Sequence, residues 1–153
     1  MTLTAAAAAG SSFAGWSGEG CAGTGTCGVS MTQSRTVTAA FALVPPPVFT
    51  DDPLPAGTTV VKGVHVVELR AAIAVLRARA ALPAAVWTDT TLVPGATPIK
   101  AVHVAEMRAA LDAVYVAAGR TPPSYGTPVL VAGQTTVTAA HVAELRAAVL
   151  GIW

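Results

Sequence analysis

The chain has 153 residues, enough for one medium domain or two small ones. It is 53% apolar and 11% charged with a net charge of +1, which excludes solvated disorder, a state that needs few apolar residues and many charges. The basic residues form no stripe, so no nucleic-acid partner is expected, and no apolar run approaches the ~20 residues that span a bilayer.

Much of the apolar content is alanine, which buries little area. A core must then rest on close backbone approach and on large residues such as Phe13, Trp16, Phe49 and Trp87. The opening MTLTAAAAAGSS is like the hydrophobic part of a signal peptide but lacks a basic n-region; it is read as a strand and a turn, with a cleaved signal as the alternative. Strands are expected at TLTA, SSFAGW, CGVSM and RTVTAAF, separated by Gly-containing turns. The last shows the β-branched alternation of a half-buried strand. Cys21 and Cys27 sit in EGCAGTGTCG with no further Cys or His at ligand spacing. A disulfide across this Gly-rich loop, implying an oxidising compartment, is expected over the alternative of two free thiols.

VPPPVF at 44–49 can continue neither a helix nor a central strand and reads as a stiff linker between a β unit at 1–43 and the region 50–153. That region is repetitive. HVVELRAA at His65, HVAEMRAA at His103 and HVAELRAA at His141 follow one another at intervals of 38 residues. Aligning 50–87, 88–125 and 126–153 also superposes Leu54/Leu92/Leu130, Gly57/Gly95/Gly133 and Thr59/Thr97/Thr135, with an aromatic ahead of each copy at Phe49, Trp87 and Tyr125. The glycines are expected in turns that need φ > 0. The threonines are expected as helix N-caps, with Pro98 at the first helical position of the middle copy. The helices should run to about Ala81, Ala118 and the C-terminus, with Pro83 and Gly119 as stops.

On each helix an apolar stripe follows: His65, Leu69, Ile73 and Leu76; His103, Met107, Leu111 and Val114; His141, Leu145, Val149 and Ile152. One helix cannot bury its own stripe, so the copies should stack on one another in a line. The fold class expected is α+β: a small disulfide-pinned antiparallel β unit followed by three 38-residue, mainly helical repeats.

The histidines are the strongest candidates for chemistry. His65/Glu68, His103/Glu106 and His141/Glu144 share a helix face and could each offer two metal ligands. A linear stack would keep the three pairs apart, and HExxH is absent, so no metal is expected. The preferred role is a neutral imidazole on the packing stripe, with one nitrogen bonded to a connector carbonyl or to glutamate; the positive helix end disfavours imidazolium there. Glu68/Arg70, Glu106/Arg108 and Glu144/Arg146 lie two apart and cannot pair within a helix. They either pair between successive repeats or stay exposed. Ser11, Ser12, Ser17 and Ser30 lie in a region without histidine, no GxSxG elbow occurs, and the Gly-rich run lacks the Lys-Ser/Thr ending of a phosphate loop. Neither catalysis nor a cofactor is expected.

Thr2–Phe41, with TLTA, GSSFAGWSG, a Cys pair around GTGT and a closing VTAAF, resembles the bacterial surface repeat related to the internalin B repeats. The resemblance implies a secreted or surface-displayed spacer or adhesive module. The family unit has strands ahead of TLTA, so either a partner is expected to supply them or the chain belongs to something longer. The helical part resembles modules near the C-termini of long secreted bacterial proteins, in which I·K·A·x·H·V·x·E·L·R recurs; that resemblance implies no activity. The function expected is a non-catalytic extracellular structural protein that self-assembles into a fibre or surface layer through its β edge and stacked repeats. The alternatives are a module binding a glycan or protein, with Trp87 and Tyr125 exposed on one side, and a metal-binding protein using the His/Glu pairs.

Overall fold

The computed structural model describes residues 1–8, 10–55, 57, 59–93 and 96–153. Contacts divide the chain into two units, Met1–Pro45 and Pro46–Trp153.

The first unit contains β1 (Thr2–Leu3), β2 (Ser11–Ser17), β3 (Cys27–Gly28) and β4 (Thr38–Leu43). Each lies within or across a stretch expected as a strand. β1 pairs antiparallel with β3, and β2 with β4. In the second ribbon Phe13 faces Phe41, but Gly15 faces Ala40, so the register slips by one residue. Gly15, at φ +142°, lets the Gly23 carbonyl approach; a Cβ there would lie 3.2 Å from that oxygen. The Trp16 N–H then donates to Gly23 O at 2.9 Å. Cys21 and Cys27 form a disulfide with Cα atoms 5.6 Å apart. Both are buried with Val29, and Leu3, Trp16 and Val37 pack around them. The bridge is thus the centre of this small core.

The second unit contains α1 (Gly63–Arg79), α2 (Ala101–Ala117) and α3 (Ala139–Ile152). Their starts correct the expected caps. The N-cap positions are Lys62, Lys100 and Thr138, three residues beyond the predicted threonines. Thr97 and Thr135 instead close connector turns, each Oγ1 accepting from the N–H four residues back, at Val93 and Val131. Gly57 and Gly133 take positive φ of 80° and 75°, as a turn requires. Gly95 lies outside the described residues.

The three helices all contact one another, α1 with α2, α2 with α3 and α1 with α3. The repeats therefore close into a ring, and the linear stack expected from the sequence does not form. Closure widens the buried face of each helix, because each has a neighbour on both sides. Leu69, Ile73, Met107, Leu111, Leu145 and Val149 are fully buried as stripe residues, and Val66, Val104 and Val142 beside them are equally buried. Phe49 and Leu54 belong to the same core.

α1 and α2 end alike. The Leu82 N–H reaches Arg77 O at 2.9 Å and the Arg120 N–H reaches Tyr115 O at 2.8 Å, with Ala81 at φ +53° and Gly119 at φ +67° in equivalent left-handed positions. Alanine is strained there by ~1–2 kcal/mol. Glycine removes that strain but adds unfolded-state entropy, so Ala81→Gly should stabilise the protein by ~0.5–1 kcal/mol, and Gly119→Ala should destabilise it by ~1 kcal/mol, in denaturant titrations.

Candidate functional site

The polar side chains of the octad converge on the junctions between repeats. Arg70, Arg108 and Arg146 are only 7%, 5% and 3% exposed. Each leaves its own helix to grip the start of the next repeat. Arg70 donates through Nη1 to Asp89 O and through Nη2 to Thr88 O, both at 3.0 Å. Arg108 donates to Thr127 O at 2.6 Å and to Glu144 Oε2 at 3.2 Å. Arg146 turns back to the first repeat, donating to Thr50 O at 2.7 Å and Asp51 O at 3.3 Å. Their carboxylate partners are Glu106, Glu144 and Glu68 in the same cyclic order, at 3.6, 3.2 and 3.6 Å.

Each guanidinium also stacks on the aromatic ahead of the repeat it grips: Arg70 over Trp87, Arg108 over Tyr125 and Arg146 over Phe49, at 4.9, 4.1 and 4.8 Å from the ring centroids. Trp87 and Tyr125 are half-buried beneath their arginines and packed on the helical core. They do not form the exposed aromatic face that a glycan-binding module would need. Burial, together with the neighbouring Asp112 that accepts its hydroxyl at 3.0 Å, raises the Tyr125 pKa.

The glutamates hold their own repeats. Glu68 accepts the Thr50 N–H at 3.0 Å and also the Thr50 hydroxyl; Glu106 accepts the Thr88 N–H at 2.9 Å, and Glu144 the Gly126 N–H at 3.0 Å. A second tier of contacts repeats further along the helices. Arg77 Nη1 donates to Ala110 O at 2.9 Å, and Tyr115, one repeat length on, donates its hydroxyl to Ala148 O at 2.7 Å. Sequence comparison missed this tier because the residue types differ; Trp153 holds the same position in the third copy, with Arg79 stacked on its ring. Equal register at both tiers makes the three helices parallel around the ring.

The third junction differs in one respect. Arg70 finds its carbonyl 18 residues ahead, whereas Arg146 finds its own 96 residues back. Loop closure over the longer path costs ~1.5 kcal/mol more.

His65, His103 and His141 occupy the third helical position and are 0%, 0% and 4% exposed. Each Nδ1 accepts the backbone N–H of the N-cap residue, Lys62 or Lys100 at 3.2 Å and Thr138 at 3.1 Å. Histidine thereby takes the role that Glu or Gln has in a capping box. A backbone N–H can only donate, so the ring proton sits on Nε2. In the first two copies it faces Asp51 at 3.1 Å and Asp89 at 3.0 Å, each aspartate also pairing with Lys62 or Lys100 at 2.7 Å. The partner is thus an aspartate, not the carbonyl or glutamate expected. Those contacts hold both aspartates below the usual carboxylate range, the lysine bond contributing most. Thr127 replaces aspartate in the third copy. There burial, reinforced by the nearby Arg108 charge, lowers the His141 pKa. Among the described residues no three His, Cys, Asp or Glu side chains are grouped to hold a metal ion.

The family model described as the divergent InlB B-repeat domain matches residues 1–45, the whole of the β unit. That match fits an extracellular or cell-surface protein. Among the described residues no helix is long and apolar enough to cross a membrane. Neither the curated proteins nor the solved structures contain a significant match to the chain.

Arg108→Lys should lower the unfolding free energy by ~2 kcal/mol in urea titrations, because an ammonium cannot bond Thr127 O and Glu144 while stacking on Tyr125. For pH, a histidine whose folded pKa is depressed binds its proton first in the unfolded chain. Stability should therefore be flat between pH ~6.5 and pH ~10, where the unfolded tyrosine begins to ionise, and fall below pH ~6.5 by at most ~1.4 kcal/mol per pH unit for His141. The aspartates act oppositely placed on the scale: their contribution is full above pH ~4 and is lost as pH falls through their lowered folded pKa values. Replacing His141 with Gln should flatten the first limb and leave the second, as read by thermal melts across pH.

Proposed function

We propose that the protein is a non-catalytic extracellular structural module that self-assembles into a fibre or surface layer through its β2–β4 ribbon. One observation carries this. The ribbon presents Phe41 at 48% and Leu43 at 86% exposure on a two-stranded sheet, and no residue of its strands is charged. Residues 1–45 contain only two charged side chains, Glu19 and Arg35, and these pair with each other. Strand edges that stay monomeric carry charged guards, above all lysine; here the guards are missing. Two strands alone are a marginal sheet, so a further strand from outside gains both hydrogen bonds and apolar cover.

The closed ring shifts the assembly away from the helical repeats. The terminal nitrogens of Arg70, Arg108 and Arg146 already reach the following repeat, so stacking on a neighbour gains them no new partner. The near-neutral net charge of +1 adds little colloidal repulsion against association.

Sedimentation velocity and negative-stain electron microscopy test the proposal. Wild-type protein should form concentration-dependent oligomers or filaments, and Leu43→Lys should leave a folded monomer with unchanged circular dichroism. Uniformly monomeric wild-type particles at millimolar concentration would overturn it.

A further inference from the structure

The three junctions are interchangeable in chemistry but not in connectivity. Arg70 and Arg108 reach carbonyls 18 and 19 residues ahead, each across its own connector, while Arg146 reaches Thr50 across 96 residues. The socket it enters consists of the Phe49 ring, the Thr50 and Asp51 carbonyls and the Glu68 carboxylate. Each element is supplied by Phe49 and the first repeat, none by α3's own repeat, so the socket fits α3 from any copy of the chain equally well.

The segment that delivers α3 runs from Ala118 to Thr138 and contains Pro122, Pro123 and Pro128. Proline fixes φ and stiffens an extended path, which favours reaching outward over folding back. We propose that the junction between the third and first repeats is an exchangeable interface, and that the partner it fits is a second copy of this chain. In the exchanged form α3 of each copy enters the socket of the other. Because α3 also carries Glu144, which meets Arg108, and the Ala148 carbonyl, which meets Tyr115, reciprocal exchange re-forms the α2–α3 contacts between copies as well; both sockets are filled, and the closed monomer and the exchanged dimer differ mainly in the path of one connector. This interface is separate from the β2–β4 ribbon and does not depend on it.

The test uses full-length chains carrying Leu43→Lys, which silences the ribbon. One chain adds Arg146→Glu and the other adds Glu68→Arg. Each alone meets like charge at this junction, within its own copy or with another of its kind. Mixed and refolded together, they regain one native Arg146–Glu68 junction and one reversed pair. Native mass spectrometry should then show a heterodimer in excess over both homodimers. Monomers alone, or dimers in statistical proportion, would overturn the proposal. A second measurement does not depend on the folding of the charge variants. Isotopically light and heavy Leu43→Lys chains are refolded together at rising concentration. A mixed-isotope dimer that persists on dilution is expected, and monomer at every concentration overturns exchange while leaving the ribbon assembly unaffected.

Discussion

The helical unit depends on the burial of three guanidinium groups. An arginine that is 3–7% exposed must have its charge met by fixed acceptors, which here face its terminal nitrogens. Each finds the aromatic face just ahead of the following repeat, and at least one backbone carbonyl and a carboxylate within that repeat. Removing any partner would strand a buried charge at a cost of ~3–5 kcal/mol. The position of each connector against the preceding helix is therefore tightly specified. Three such constraints in cyclic order close the ring. Lysine could not impose it, because a single ammonium lacks the planar fork that addresses two acceptors while stacking on a ring.

The octad divides its labour among three polar residues. Histidine caps the start of its own helix through Nδ1. Glutamate, one turn later, clasps the first N–H of its own repeat. Arginine, two residues on, grips the repeat that follows. Each satisfies backbone groups at a helix start or at the opening of a repeat. The small alanines beside them let the helices approach closely enough for side chains to cross from one to the next.

The two units solve the problem of a small core in opposite ways. The helical unit uses its charged residues as joints between repeats. The β unit contains a single ion pair and relies on the Cys21–Cys27 bridge, with Trp16 and Val29 around it, to organise a core too small to stand on apolar burial alone. Its ribbon is left with apolar side chains facing outward and no charged guard on either strand. That contrast is the basis of the assembly proposed for the β unit.

The sequence by itself determined the local elements. The strands, the disulfide pairing, the existence of three helices and the residues of each apolar stripe follow from alternation, spacing and the repeat interval, all of which are local in the chain. The N-caps lie three residues beyond the threonines that the sequence favours as caps, because the capping contact comes from histidine at the third helical position, whose Nδ1 faces the N-cap N–H only in the folded chain. Tertiary structure decided the rest. Whether repeats run in a line or close depends on the angle between neighbours, which no periodicity encodes. The recurrence of Phe49, Trp87 and Tyr125 was visible, but their role as platforms for arginine required knowing which repeat each arginine faces. Arg146 shows the limit most clearly: its octad is the same as that of Arg70, and only the folded chain brings it to Thr50, 96 residues away.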